Sequence, residues 1–182
     1  MAIRTLTPAI AALAADVATV VRSDAPAIEV SRQVADTLTP FLAMPDLLDA
    51  DQTRGRADCY TQHVLYVDPA SRFSIVSLVW MPGQRTVIHD HVSWCVVGVY
   101  QGVEQETLYR LVDDGLEPAH LVRTGQSANL ARMTSFFAPP GDIHEVCNAS
   151  DDTVISVHVY GADVSTLGTS IRRRYDLPVR AA

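Results

Sequence analysis

Between Cys59 and Tyr160 the chain is a succession of short β-branched and aromatic runs, each closed by turn residues such as "VDPAS", "MPG", "DDG" and "PPGD". This punctuation predicts strands over 59–67, 72–81, 86–91, 94–101, 104–112, 119–123, 132–137, 143–148 and 153–160. So many short strands at such close intervals can bury their apolar faces only in a sandwich or a closed barrel.

The first quarter has a different period. Ile10, Leu13, Val17 and Val20 recur at three and four residues, the stripe of an amphipathic helix, with Thr7 and Pro8 as its cap and first turn. A second helix starts near Pro26. Val30, Val34, Leu38 and Phe41 form its apolar stripe, Glu29, Arg32 and Asp36 lie off it, and Pro40 and Pro45 frame its end. The expected organisation is a single domain over 1–182, with a helical layer at 1–50 packed on one sheet of a β-barrel at 57–165.

Charge and cysteine usage narrow the function classes. A net charge of −7 and the absence of a basic stripe argue against nucleic acid as a partner. The three cysteines, Cys59, Cys95 and Cys147, are too few and too irregular for a disulfide framework, which fits a reducing cytoplasm. "MAIRTLTPAIAALAADVATVV" has the look of a signal peptide, but Asp16 interrupts it and no cleavage site follows. No run reaches the ~18 apolar residues of a membrane span, so no membrane partner is expected.

The chemistry concentrates in "RTVIHDHVSWCVVGVYQG", residues 85–102. On a strand, residues two apart share a face, so His89 and His91 project together while Asp90 points away. That brings two imidazoles within a few ångströms, as a metal requires. The competing reading is a pair of core histidines, each of which would need its own hydrogen-bond partner. "PPGDIHEVCN", residues 139–148, adds His144 just after a tight turn.

The two stretches together resemble the paired motifs of the cupin superfamily. The first has Gly83, His89, His91, Cys95 and Gly102 in order, and the second has Pro139, Gly141, His144 and Asn148. The resemblance implies a mainly β fold, a double-stranded β-helix (jelly-roll) barrel with a metal in its mouth, here held by His89, His91 and His144. Two residues depart from the pattern: Cys95 stands at the usual glutamate ligand, and Met133 stands where a glycine is expected. Three-histidine cupins with cysteine or glycine at the glutamate position resemble the thiol dioxygenases, the cysteine dioxygenase type I family. "SVHVYG" supplies Ser156, His158 and Tyr160 on one face of a strand, similar to that family's hydrogen-bonded Ser-His-Tyr triad.

The resemblance implies Fe(II) as cofactor, a small thiol and O2 as partners, and a sulfinate product. Tyr160, His158, Ser156 and Cys95 are the expected catalytic group. Cys95 is either a packing thiol or one half of a thioether to Tyr160; its three-residue spacing from His91 differs from the four of the animal enzymes. Gln62 occupies the position of the carboxylate-binding arginine of animal cysteine dioxygenases, which implies the Gln-type branch and a preference for 3-mercaptopropionate. The substrate carboxylate would then find Gln62 with an arginine of "IRRRYD", Arg172 or Arg173 foremost and Arg174 beside them. The alternatives are a cysteine dioxygenase on the same site and a non-catalytic metal-binding cupin acting as a sensor. A monomer or weak homo-oligomer is expected.

Overall fold

Thr7 and Pro8 open the first helix as their chemistry demands. In the computed structural model, which describes residues 6–180, the Ile10 amide donates to the Thr7 hydroxyl at 3.1 Å, and Pro8 fills a first-turn position that needs no N–H. Helix α1 (Pro8–Val20) buries Ile10, Leu13 and Val17. Helix α2 (Ala27–Leu38) buries Val30, Val34 and Leu38 and runs into a 3-10 turn, Thr39–Ala43, that contains Pro40. On its solvated side Arg32 reaches Glu29 at 2.6 Å and Asp36 at 2.9 Å.

The strands follow in chain order: β1 (Thr61–Val67), β2 (Ser74–Trp80), β3 (His89–His91), β4 (Cys95–Gln101), β5 (Val103–Val112), β6 (His120–Leu130), β7 (Thr134–Phe137), β8 (His144–Cys147) and β9 (Val154–Tyr160). A short helix α3 (Val164–Leu167) and two further strands, β10 (Ile171–Arg174) and β11 (Val179–Arg180), complete the described chain. One sheet has the order β1-β2-β9-β4-β7 and the other β10-β3-β8-β5-β6-β11. The neighbours are antiparallel apart from β11, which pairs parallel with β6. This is the mainly β cupin fold with N-terminal helices that the resemblance implies.

Strand alternation divides the interior in two. Every residue of β2 and β9 is buried, because the first sheet is covered on both faces. Ile75, Val79, Ile155, Val157 and Val159 pack with the helices. Val76, Leu78, Trp80 and Tyr160 turn the other way and meet Val146 of the second sheet. Gly98 lets the helices come close. A Cβ there would lie 2.7 Å from Leu38 Cδ2 and 2.8 Å from Leu42 Cδ1.

The strands differ from the predicted ones in instructive places. β6 runs to Leu130 rather than stopping near 123, although "RTGQSANL" lacks a strand pattern. It is held by pairing along the whole of β5, from Val112 opposite His120 to Val103 opposite Leu130; partner contacts override local propensity. β10 and β11 were not expected from the sequence. Among the described residues, no helix is long and apolar enough to cross a membrane.

Candidate metal centre

β3 is only three residues long, yet both of its edges are held. On one side His89 pairs with His144 of β8; on the other, β10 runs antiparallel to it. Alternation sends Asp90 away from its two neighbours. There it accepts hydrogen bonds from Arg172 Nη2 at 2.5 Å and from the Tyr175 hydroxyl at 2.8 Å. Burial alone would raise the Asp90 carboxyl, but these two partners outweigh it and hold the carboxyl below its ordinary value.

On the other face, His89, His91 and His144 converge. All three are buried, their ligand-capable atoms lie within 4.8 Å of one another, and their ring centroids are 4.7–4.9 Å apart. Each Nδ1 already has a partner. The Val87 carbonyl lies 2.8 Å from that of His89, Asp142 Oδ2 lies 3.0 Å from that of His91, and Glu106 Oε1 lies 2.6 Å from that of His144. These partners are acceptors, so each ring carries its proton on Nδ1 and offers a lone pair on Nε2. The Asp142 and Glu106 carboxyls are pushed up by burial, yet the hydrogen bonds from His91 and His144 leave both below their ordinary values. Asp142 also accepts the His91 amide at 3.0 Å, which ties the ring and its backbone to one carboxylate.

Burial, followed by the charge of His144 and then His91, lowers His89 to about 3; burial also lowers His91. Three imidazoles pointing their free nitrogens at one spot, with no carboxylate among them, are the donor set of a divalent first-row metal ion with coordination positions left over.

The imidazoles open into a cavity of about 450 Å3. Phe137 forms one wall, with its ring centroid 4.8 Å from that of His91 and 4.9 Å from that of His144. Tyr60 stacks on Trp80 at 4.6 Å to form another. His158 and Tyr160 also line it. The Tyr160 hydroxyl lies 3.1 Å from His158 Nδ1, and Ser156 Oγ lies 2.9 Å from His158 Nε2. Trp80 Nε1 donates to the same serine oxygen at 3.1 Å. Burial lowers His158 to about 3, so the ring is neutral; burial likewise pushes the Tyr160 phenol well up. Cys95 is fully buried opposite Tyr160 in the β4–β9 ladder, its Sγ lies 3.7 Å from the Val96 carbonyl oxygen, and burial holds its thiol well above the ordinary range.

Gln62 lines the cavity, but Arg172 and Arg173 stand outside it. Arg172 is engaged with Asp90, and Arg173 lies over the Tyr175 ring at 5.5 Å. The arginine that reaches the cavity is Arg174. A register shift between Ile171 and Arg173 breaks the strand's alternation, so Ile171 and Arg174 face the same space. Trp94 packs on the helical side. His63 Nε2 pairs with the Arg54 carbonyl at 2.8 Å.

The sequence reading missed Glu106 and Asp142 as site residues. A signal existed for both. Glu104 and Glu106 alternate in a strand that must bury one face, and Asp142 follows the turn that delivers His144. The run Arg172-Arg173-Arg174 offered three candidates without saying which one enters, because the bulge that turns Arg174 inward is a tertiary feature.

A family model described as "Cysteine dioxygenase type I" matches residues 52–173. A zebrafish (Danio rerio) protein named "Cysteine dioxygenase type 1" is 29% identical over 104 residues, which cover 56% of this chain and 51% of the relative. The chain thus spans about half the length of that curated relative. Among solved structures, a Cupin 2 conserved barrel domain protein from Salinispora arenicola is 20% identical, with a TM-score of 0.44 over 69% of this chain and 94% of its own. An RmlC-like cupin protein from Desulfovibrio desulfuricans is 18% identical, with a TM-score of 0.45 over 65% of this chain and 95% of its own.

Proposed function

The chain belongs to the cysteine dioxygenase type I family, and on that premise we propose that it is an iron-dependent thiol dioxygenase acting on a small thiol carboxylate, with 3-mercaptopropionate favoured. The balanced reaction converts a thiolate and O2 into a sulfinate; sulfur is oxidised, dioxygen is reduced, and both oxygen atoms end on sulfur. Ferrous iron held by the Nε2 atoms of His89, His91 and His144 would supply the redox-active centre at which the two reactants meet. The fit rests on the three hydrogen-bonded Nδ1 atoms, which leave three lone pairs, and among the described residues no further histidine, cysteine, aspartate or glutamate joins them at that spot.

The chain's own residues account for the rest. Arg174 and Gln62 line the cavity that the histidines share and are suited to a carboxylate, Arg174 through a charge-assisted pair and Gln62 through its amide. Phe137, Tyr60 and Trp80 keep the walls apolar and restrict water. The Tyr160 hydroxyl, oriented by His158, is the polar group available to the sulfur or oxygen end of the reacting pair. Cys95 is read as a buried packing thiol beside Tyr160. An intact mass lower by a pair of hydrogens would instead report a thioether between them.

Beside Gln62, one observation supports the choice of thiol: among the described residues lining the cavity, no aspartate or glutamate is present to pair with an ammonium group. Cysteine would bring such a group into the site with no anionic partner; 3-mercaptopropionate would not. Steady-state oxygen uptake and sulfinate yield with both thiols on iron-replete protein test this. The expected result is a kcat/KM for 3-mercaptopropionate higher by about tenfold or more, the order of one charged pair. A higher value for cysteine would transfer the assignment to that substrate. Iron-replete protein with no thiol-dependent oxygen uptake would favour a metal-binding sensor.

A further inference from the structure

Glu104 lies two residues before the carboxylate that holds His144, on the same face of β5. Its side chain is 1% exposed, and its Oε2 meets no hydrogen-bonding partner. An ionised carboxylate left half-satisfied in such surroundings is costly. The hydroxyl within reach of Glu104 is that of Ser156, the far end of the Tyr160–His158–Ser156 chain.

Ser156 has a single proton to give and two lone pairs. One lone pair is taken by Trp80 Nε1, which can only donate. Ser156 therefore cannot donate to both His158 and Glu104. We propose that Glu104 is a fourth member of the relay and its positioning residue: as a neutral acid it donates to Ser156, Ser156 donates to His158 Nε2, His158 Nδ1–H donates to the Tyr160 oxygen, and the phenolic hydrogen is left free for the cavity. With Glu104 ionised, every bond reverses. Ser156 donates to the carboxylate, His158 carries its proton on Nε2, and Tyr160 gives its own proton to His158 Nδ1. One proton on a residue outside the cavity thus decides whether the hydroxyl faces the reactants as a donor or as an acceptor.

The surroundings put this proton near neutrality. Burial raises the Glu104 carboxyl to about 7, the Ser156 hydrogen bond opposes that, and the charge of Glu106 adds to it. The other titratable groups coupled to Glu104 are Cys95 on β4, Cys147 on β8 and Tyr160 on β9, and burial raises all three, keeping them neutral. The neighbouring His158 is neutral as well. No cation is among the influences on Glu104.

The direction of the relay does not depend on the proposed function; only its consequence for thiol oxidation does. Histidine-selective nitrogen NMR on metal-free protein, with the His158 signal assigned by its loss in H158N, reads the tautomer directly. The expected result is Nδ1–H below about pH 7, moving to Nε2–H above it. Glu104→Gln, whose amide remains a donor at every pH, keeps Nδ1–H throughout. In the loaded enzyme, kcat/KM should fall as pH rises through the same region in the parent and stay level there in E104Q. A His158 proton on Nε2 at acidic pH, a parent tautomer that ignores pH between about 5.5 and 8.5, or an E104Q titration like the parent's would overturn the proposal. Should E104Q fail to fold, the parent titration carries the test alone. A tautomer switch in a protein that oxidises no thiol would support the relay while removing the proposed function.

Discussion

The two faces of β2 and β9 are made by alternate residues of the same strands, yet they do opposite things. The helix-facing side, with Ile75, Val79, Val157 and Val159, is almost wholly aliphatic; its buried Ser77 is satisfied by the Gln52 carbonyl at 2.9 Å. The barrel-facing side carries Trp80, Ser156, His158 and Tyr160, all buried and linked to one another. A sheet covered on both faces can therefore keep stability and chemistry apart by parity. The outer set gains from apolar burial and has nothing to titrate; the inner set tolerates burial because its polar atoms are paired.

Acid should break this comparison most strongly. His89 and His158 are held neutral in the folded protein down to about 3, against an ordinary value of 6.5. The unfolded chain binds protons that the native state refuses, so stability is fully present above about 6.5 and is lost as pH falls toward 3. Chemical denaturation of metal-free protein across this range should lose several kcal/mol in total, at about 1.4 kcal/mol per unit for each histidine. A pH-independent midpoint would mean that the inner face is solvated.

The outer face should respond to truncation instead. Ile75→Ala is expected to cost about 2–5 kcal/mol in urea unfolding while leaving kcat per folded molecule unchanged; a matched loss of kcat would show that the faces are not separate. On the inner side, Glu106→Gln keeps the shape but removes the charge on His144, and metal affinity by competition should weaken about 10–100-fold with little change in Tm. Smaller still is Arg174→Gln, for which we expect KM for 3-mercaptopropionate to rise about tenfold with kcat nearly constant. Arg172→Gln, acting on the far side through Asp90, should raise KM much less. Equal effects of the two would dissolve the distinction between them.

Much of this was legible in the residues. The helical stripes, the run of short strands and the His89-x-His91 pair are local patterns, and period alone reveals them. The convergence of His144 on that pair needed the motif resemblance, since nothing local relates residue 144 to residue 91. What escaped depends on partners. β6 persists through "RTGQSANL" because β5 lies beside it. Arg174 rather than Arg172 enters the cavity because of a bulge against β3. Glu106 and Asp142 acquire meaning only once each is seen on the Nδ1 of a particular histidine. Hydrogen bonds between distant strands leave no periodic trace in a sequence.

The most direct test of the central claim is mass analysis of the product formed by iron-loaded protein from 3-mercaptopropionate under isotopically labelled dioxygen. A sulfinate carrying label at both oxygen positions is the predicted result. Label drawn from water, a singly labelled product or recovery of disulfide alone would contradict it.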